Sequence, residues 1–158
     1  MKMTEIIRPG SIRVPLESTE RDDAIRELID ALVESGAAPA EIRDDLLEKV
    51  LERERKHSTG FGRGVAVPHV KHPKIETMAA AIGISPGGIE FNSLDKQPVY
   101  TIFLLLSPQS RPEEHLQAME VIFKSLSKET FRRTLRQAED AQKIHDLLDD
   151  ADNHRVVG

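Results

Sequence analysis

The sequence has no cysteine. That excludes disulfides, thiolate nucleophiles and cysteine-ligated zinc, and it agrees with a cytoplasmic setting. Aromatic residues are nearly as scarce: with no tryptophan, one tyrosine and five phenylalanines they make up 4% of the chain, too few for base-stacking surfaces. Positive charge is not in excess either. Lys and Arg total 22 against 27 Asp and Glu, a net charge of −5, which argues against a non-specific grip on nucleic acid or an anionic membrane. No apolar run approaches the roughly 20 residues of a membrane span. The charged start Met1-Lys2-Met3-Thr4-Glu5 also lacks a signal peptide's apolar segment, so no membrane insertion is expected. What is present, 158 residues that are 39% hydrophobic and 31% charged, is the composition of one folded domain with its own core.

Hydrophobic periodicity divides that domain into helices and strands. Residues 4–17 read as a short strand or extended lead-in around Pro9-Gly10. Ser18 or Thr19 can cap a helix running to about Ser35, with Ala24, Ile25, Leu28, Ile29 and Leu32 on one stripe and Gly36 as the stop. Pro39 opens a second helix, with Leu46, Leu47, Val50 and Leu51 inward and a charged run, Glu52 to Lys56, at its end. Thr77 to Ser85 reads as a strand, Pro86-Gly87-Gly88 as a turn, and Ile89 with Phe91 as a further short strand. Val99 to Leu106 is almost unbroken in its apolar character, as a central strand covered on both faces should be. Ser110 and Glu113 form a capping-box pattern, and three helical stretches follow to about Leu148. The expected fold is α/β, a mixed sheet of about five strands with helices on both faces. The domain should span residues 4–150, leaving 151–158 as a disordered tail.

One stretch stands apart from this regular pattern: Ser58-Thr59-Gly60-Phe61-Gly62-Arg63-Gly64-Val65-Ala66-Val67-Pro68-His69. Its alternating glycines suit a tight loop rich in backbone donors. Val65 to Val67 read as a buried strand that Pro68 ends, which leaves His69 at the strand's carboxyl end beside that loop. An imidazole there can act as a nucleophile, and if one ring nitrogen donates to a carbonyl the other presents its lone pair. A structural histidine at a strand end is the competing reading. His115, in the first turn of a capped helix, can face an anion or simply border the core. Arg53 offers a fork for phosphate or serves as a solvated helix-end charge. Ser58 and Thr59 can donate to phosphate or cap the loop.

Other chemistries fit poorly. His69 and His72, with His57 nearby, lack an evident third ligand, so no metal is expected. The glycine stretch has no Gly-Lys-Ser/Thr ending and no helix after it, which disfavours nucleotide binding, and no cofactor is expected.

Together these residues resemble the enzyme IIA proteins of the bacterial sugar phosphotransferase system, fructose/mannitol type, a family that includes nitrogen-branch regulators. The likeness is carried by Ser58 to His69, by Arg53-Glu54, by Ile89-Glu90-Phe91 through Asp95, by Gln97-Pro98-Val99, by Phe103 to Pro108 and by His115-Leu116, spread over roughly residues 4–150. The resemblance implies that His69 is the phosphorylated nucleophile, that His115 assists, that Arg53 lies near, and that Ser58, Thr59, Gly60, Gly62 and Gly64 help hold the phosphoryl group. It implies a phosphocarrier that receives this group from HPr or its nitrogen-branch paralogue. The onward partner is then either a regulated target protein or a separate enzyme IIB. Phe61, His57 and Val70 depart from the residues usual in the family.

Overall fold

A computed structural model describes residues 1–154 of the chain. The sheet is built on β6 (Val99–Pro108), whose side chains are buried on both faces except at Tyr100. β5 (Ala79–Ile89) pairs with one edge of β6, antiparallel. The other edge is shared by two short parallel strands, β3 (Val65–Ala66) and β4 (His69–His72). β1 (Ile12–Arg13) lies outside β5 and β2 (Gly60–Gly62) outside β3, giving six strands in the order β1-β5-β6-β3-β2 with β4 beside β6.

Each face of the sheet has its own core because successive strand residues point opposite ways. On one face Ile102, Leu104 and Leu106 meet α2 (Arg21–Glu34) and α3 (Arg43–Lys56). The stripe Ala24, Ile25, Leu28, Ile29 and Leu32 is fully buried there. On the other face Phe103 and Leu105 meet α4 (Pro112–Leu126), α5 (Glu129–Gln137) and α6 (Ala141–Asp152) through Ile122, Phe131, Leu135, Ile144 and Leu148. Gly36 closes α2 at φ +79°, a left-handed conformation that glycine adopts without steric cost. No helix among the described residues is long and apolar enough to cross a membrane.

The structure departs from the sequence expectations where side-chain partners override local pattern. The lead-in contains a helical turn, α1 (Met3–Ile6). The Asp152 carboxylate accepts hydrogen bonds from the Met3 and Thr4 amides and from Thr4 Oγ1. That clasp explains why α6 continues to Asp152, into the region expected to be disordered. The rest of the expected tail, 155–158, lies outside the described residues. Ser18 does not cap α2; its amide and hydroxyl bind Glu27, and the N-cap is Glu20. The second helix begins with a 3-10 turn over Ala40–Ile42 before α3. Nor does the capping box form, since Arg111 stands at the N-cap of α4 with Pro112 behind it. The expected turn at Pro86-Gly87-Gly88 is instead an irregularity inside β5, between Ile84 and Ile89 in its pairing with β6.

Candidate functional site

The site lies where the end of α3, the start of β4 and the first turn of α4 converge. Pro68 cannot donate to the ladder, so β3 ends at Ala66. The chain nevertheless stays alongside β6: Leu105 N–H donates to the Pro68 carbonyl, and pairing resumes with His69 opposite Leu105. His69 thus opens a strand rather than closing one, contrary to the sequence expectation. Its Nδ1 lies 3.0 Å from the Val67 carbonyl oxygen. A carbonyl oxygen only accepts, so Nδ1 carries the hydrogen and Nε2 keeps the free lone pair.

His115 comes from the opposite side. α4 starts just before it, and its ring centroid stands 5.3 Å from that of His69, tilted by 52°. Its Nδ1 is hydrogen-bonded to the hydroxyl of Ser107, which is fully buried. That hydroxyl has no other acceptor among the described residues, and a buried O–H left unpaired is costly. Ser107 therefore donates to Nδ1, and His115 keeps its hydrogen on Nε2. The pair is thus complementary, one ring with a free lone pair and the other with a free N–H.

Both rings and Arg53 line a cleft of about 760 Å³, together with Lys49, Glu52, Lys56, His57, Val70 and Lys71. Burial first, then the positive charges of Arg53 and Lys71, hold the His69 pKa below its ordinary 6.5, against a raising contribution from the Val67 carbonyl. Burial pushes His115 further, to about 4, with smaller contributions from His69, Lys71 and Arg53. Both imidazoles are consequently neutral near pH 7, in a cleft whose charge suits an anion.

The glycine stretch is placed differently from the expectation. Gly60–Gly62 and Val65–Ala66 form a hairpin, and neither its glycines nor Ser58 and Thr59 line the cleft. Glu54, 2% exposed, accepts from Thr59 N and Thr59 Oγ1, at 2.9 and 2.8 Å. The Ser58 hydroxyl donates to the Phe91 carbonyl and accepts from Gly60 N. The Arg63 amide is bound to Asp95, and a Cβ on Gly64 would meet Tyr100. These donors are already in use within the loop, and Glu54 ties it to α3. His72 points away as well: its Nδ1 accepts from Lys74 N, and Nε2 donates to Asp45 at 2.7 Å, tying β4 to α3.

Ser107 and Lys71 escaped the sequence reading. The signal for Ser107 was a hydroxyl directly after the apolar run Ile102 to Leu106, eight residues before a histidine. Lys71 had no signal beyond its two-residue offset from His69.

Fold and cleft together define a small α/β domain that presents a neutral imidazole among cations. The family model for the phosphoenolpyruvate-dependent sugar phosphotransferase system, EIIA 2, matches residues 5–151, and the chain belongs to that family. A nitrogen regulatory protein of Bradyrhizobium diazoefficiens is 33% identical over 94% of this chain and 95% of its own length. The fructose-specific EIIABC component of Bacillus subtilis is 32% identical over 96% of this chain, which spans only 24% of that protein. The crystal structure of nitrogen regulatory protein IIA-Ntr from Neisseria meningitidis superposes with a TM-score of 0.81 at 28% identity, covering 91% of this chain and 97% of that one. The fold also matches enzyme IIA mannitol of Escherichia coli in its complex with phosphorylated enzyme IIB mannitol, with a TM-score of 0.75 at 19% identity over 91% of this chain and 99% of that one.

Proposed function

We propose that this protein is a cytoplasmic phosphocarrier that accepts a phosphoryl group on Nε2 of His69 from a phosphohistidine of an HPr-like carrier. The observation that carries the reading is the hydrogen bond from His69 Nδ1 to the Val67 carbonyl, which leaves Nε2 as the unprotonated nitrogen. In the transfer, the Nε2 lone pair forms a bond to phosphorus while the donor's N–P bond breaks. The bonding pair returns to the donor imidazole, which then takes up a proton. His115 Nε2–H, Arg53 and the positive end of α4 stabilise the charge on the phosphoryl oxygens. Ser58, Thr59, Gly60, Gly62 and Gly64 act indirectly, by holding the hairpin that flanks β4. Bond broken and bond formed are both phosphoramidates, so the transfer runs readily in either direction.

A regulatory role of the nitrogen type is the preferred form of this reading, supported by nitrogen regulatory relatives matched along nearly their whole length. In that role the added charge switches contact with a target protein. The second reading is transport, in which the group passes to a separate enzyme IIB. It is favoured by a fructose-specific EIIA component of Haloferax volcanii, 34% identical over 81% of this chain and 82% of that protein.

The test is incubation with phosphorylated carrier, reading the intact mass for an acid-labile gain of one phosphoryl group. Retention of that gain by His69→Ala overturns the assignment. Partners captured selectively by the phosphorylated form support regulation, whereas loss of the group to an enzyme IIB supports transport.

A further inference from the structure

Half of the twelve arginines among the described residues are matched to carboxylates. Arg13, Arg21, Arg26, Arg43, Arg55 and Arg111 each pair with an Asp or Glu. Arg8 is committed to the Ser35 carbonyl, and Arg53 belongs to the histidine cleft. The remaining four among the described residues, Arg63, Arg132, Arg133 and Arg136, converge on a second cleft of about 350 Å³. None of them has a carboxylate partner, although Glu129 also lines the cleft.

This cleft is separate from the histidine site. It shares no lining residue with it. It opens beside Thr101, whereas His69 pairs with Leu105, four residues further along β6.

Holding four guanidiniums together costs repulsion that no ion pair with a carboxylate offsets among the described residues. Arg132 and Arg136 are one turn apart on α5, where like charges repel. Arg63 sits at φ 59°, a conformation that glycine or asparagine adopts more cheaply. Its amide is held by Asp95, so the tight turn keeps an arginine at the cleft's edge. The guanidinium carbon of Arg136 sits over the Tyr100 ring, 3.4 Å from its centroid. Such stacking leaves the in-plane N–H groups free to donate. Arg132 spends one nitrogen on the Leu126 carbonyl and keeps its other donors. Forks of this kind match phosphate oxygens two at a time. The volume falls within the ~300–1,000 Å³ range of small-molecule sites.

We propose that this arginine cleft is a second anion site that binds a small molecule bearing a diphosphate group, independently of the phosphoryl chemistry at His69. Isothermal titration with inorganic pyrophosphate and with ADP tests it, on wild-type protein and on four variants. Binding with one-to-one stoichiometry is expected, unchanged in His69→Ala and weakened about tenfold or more in Arg132→Gln/Arg136→Gln. A control, Arg26→Gln/Arg55→Gln, makes the same change in net charge elsewhere and should leave binding intact. The ratio of the two affinities tells a free diphosphate from one carried on an organic group. No binding by either probe up to about 1 mM overturns the proposal. So does equal weakening in the control, or binding that His69→Ala or Arg53→Gln abolishes. Because phosphoryl acceptance at His69 is measured separately, failure of one reading leaves the other standing.

Discussion

Ser107→Ala probes the histidine pair without touching either ring. The hydroxyl it removes is fully buried and His115 is only 6% exposed, so water does not replace it freely. A protein hydrogen bond contributes about 1 kcal/mol net, within a range of about 0.5–1.5. Since 1.4 kcal/mol is a factor of ten, losing the bond shifts the His115 tautomer ratio about fivefold and at most about tenfold toward a hydrogen on Nδ1. In that tautomer Nε2 offers a lone pair to the phosphoryl oxygens in place of a donor. The rate of phosphoryl acceptance from the carrier should therefore fall, by no more than about five- to tenfold, with the final stoichiometry unchanged. Nitrogen-15 NMR of His115 should show the Nδ1–H form growing in step, and Ser107→Thr should restore both readouts. Unchanged tautomer and rate in Ser107→Ala would refute the argument. A loss of about a thousandfold or more would refute it too, because a residue acting through one tautomer equilibrium cannot produce so large an effect.

Four further outcomes rest on the same structure. Because burial and neighbouring cations depress His69, its acceptance of phosphate should persist on acidification below pH 6.5, the ordinary histidine value, and decline only as the ring protonates. The depressed His115 adds stability above pH 6.5 that is lost as pH falls toward about 4, so the urea midpoint of wild type should drop more steeply over that window than that of His115→Gln. Glu54→Ala leaves the Thr59 amide and hydroxyl without their acceptor and should cost about 2–4 kcal/mol by urea denaturation; a loss below about 0.5 kcal/mol would contradict the buried clasp. Phe103→Ala, at a fully buried position of the central strand, should cost about 3–5 kcal/mol, read the same way.

What could be read from sequence was what repeats. The stripe of α2 and the apolar run of β6 announce their burial through spacing alone, and the histidines and Arg53 stood out against that regular background. The hairpin was harder. Alternating glycines signal backbone freedom but not its use, and only the position of Glu54 shows that the Thr59 donors are taken. Pro68 was read as the end of a strand because it ends a ladder, yet the neighbouring strand carries the chain on past it. Ser18 and Ser110 were good caps on local grounds. For Ser18, the Glu27 carboxylate is a partner that local sequence cannot reveal, and the same holds for Asp152, which organises residues 148 and 149 positions away.

The Asp152 clasp has a topological consequence. Met3 and Asp152 are joined by a hydrogen bond of 2.7 Å, so the polypeptide leaves this domain next to where it enters. A domain with that geometry can be spliced into a host loop, or tethered to a neighbour at one corner, with little distortion of either. Residues around that corner, among them Met1, Lys124 and Lys128, are distinct from those of the histidine cleft. A fusion there would leave the histidine cleft uncovered.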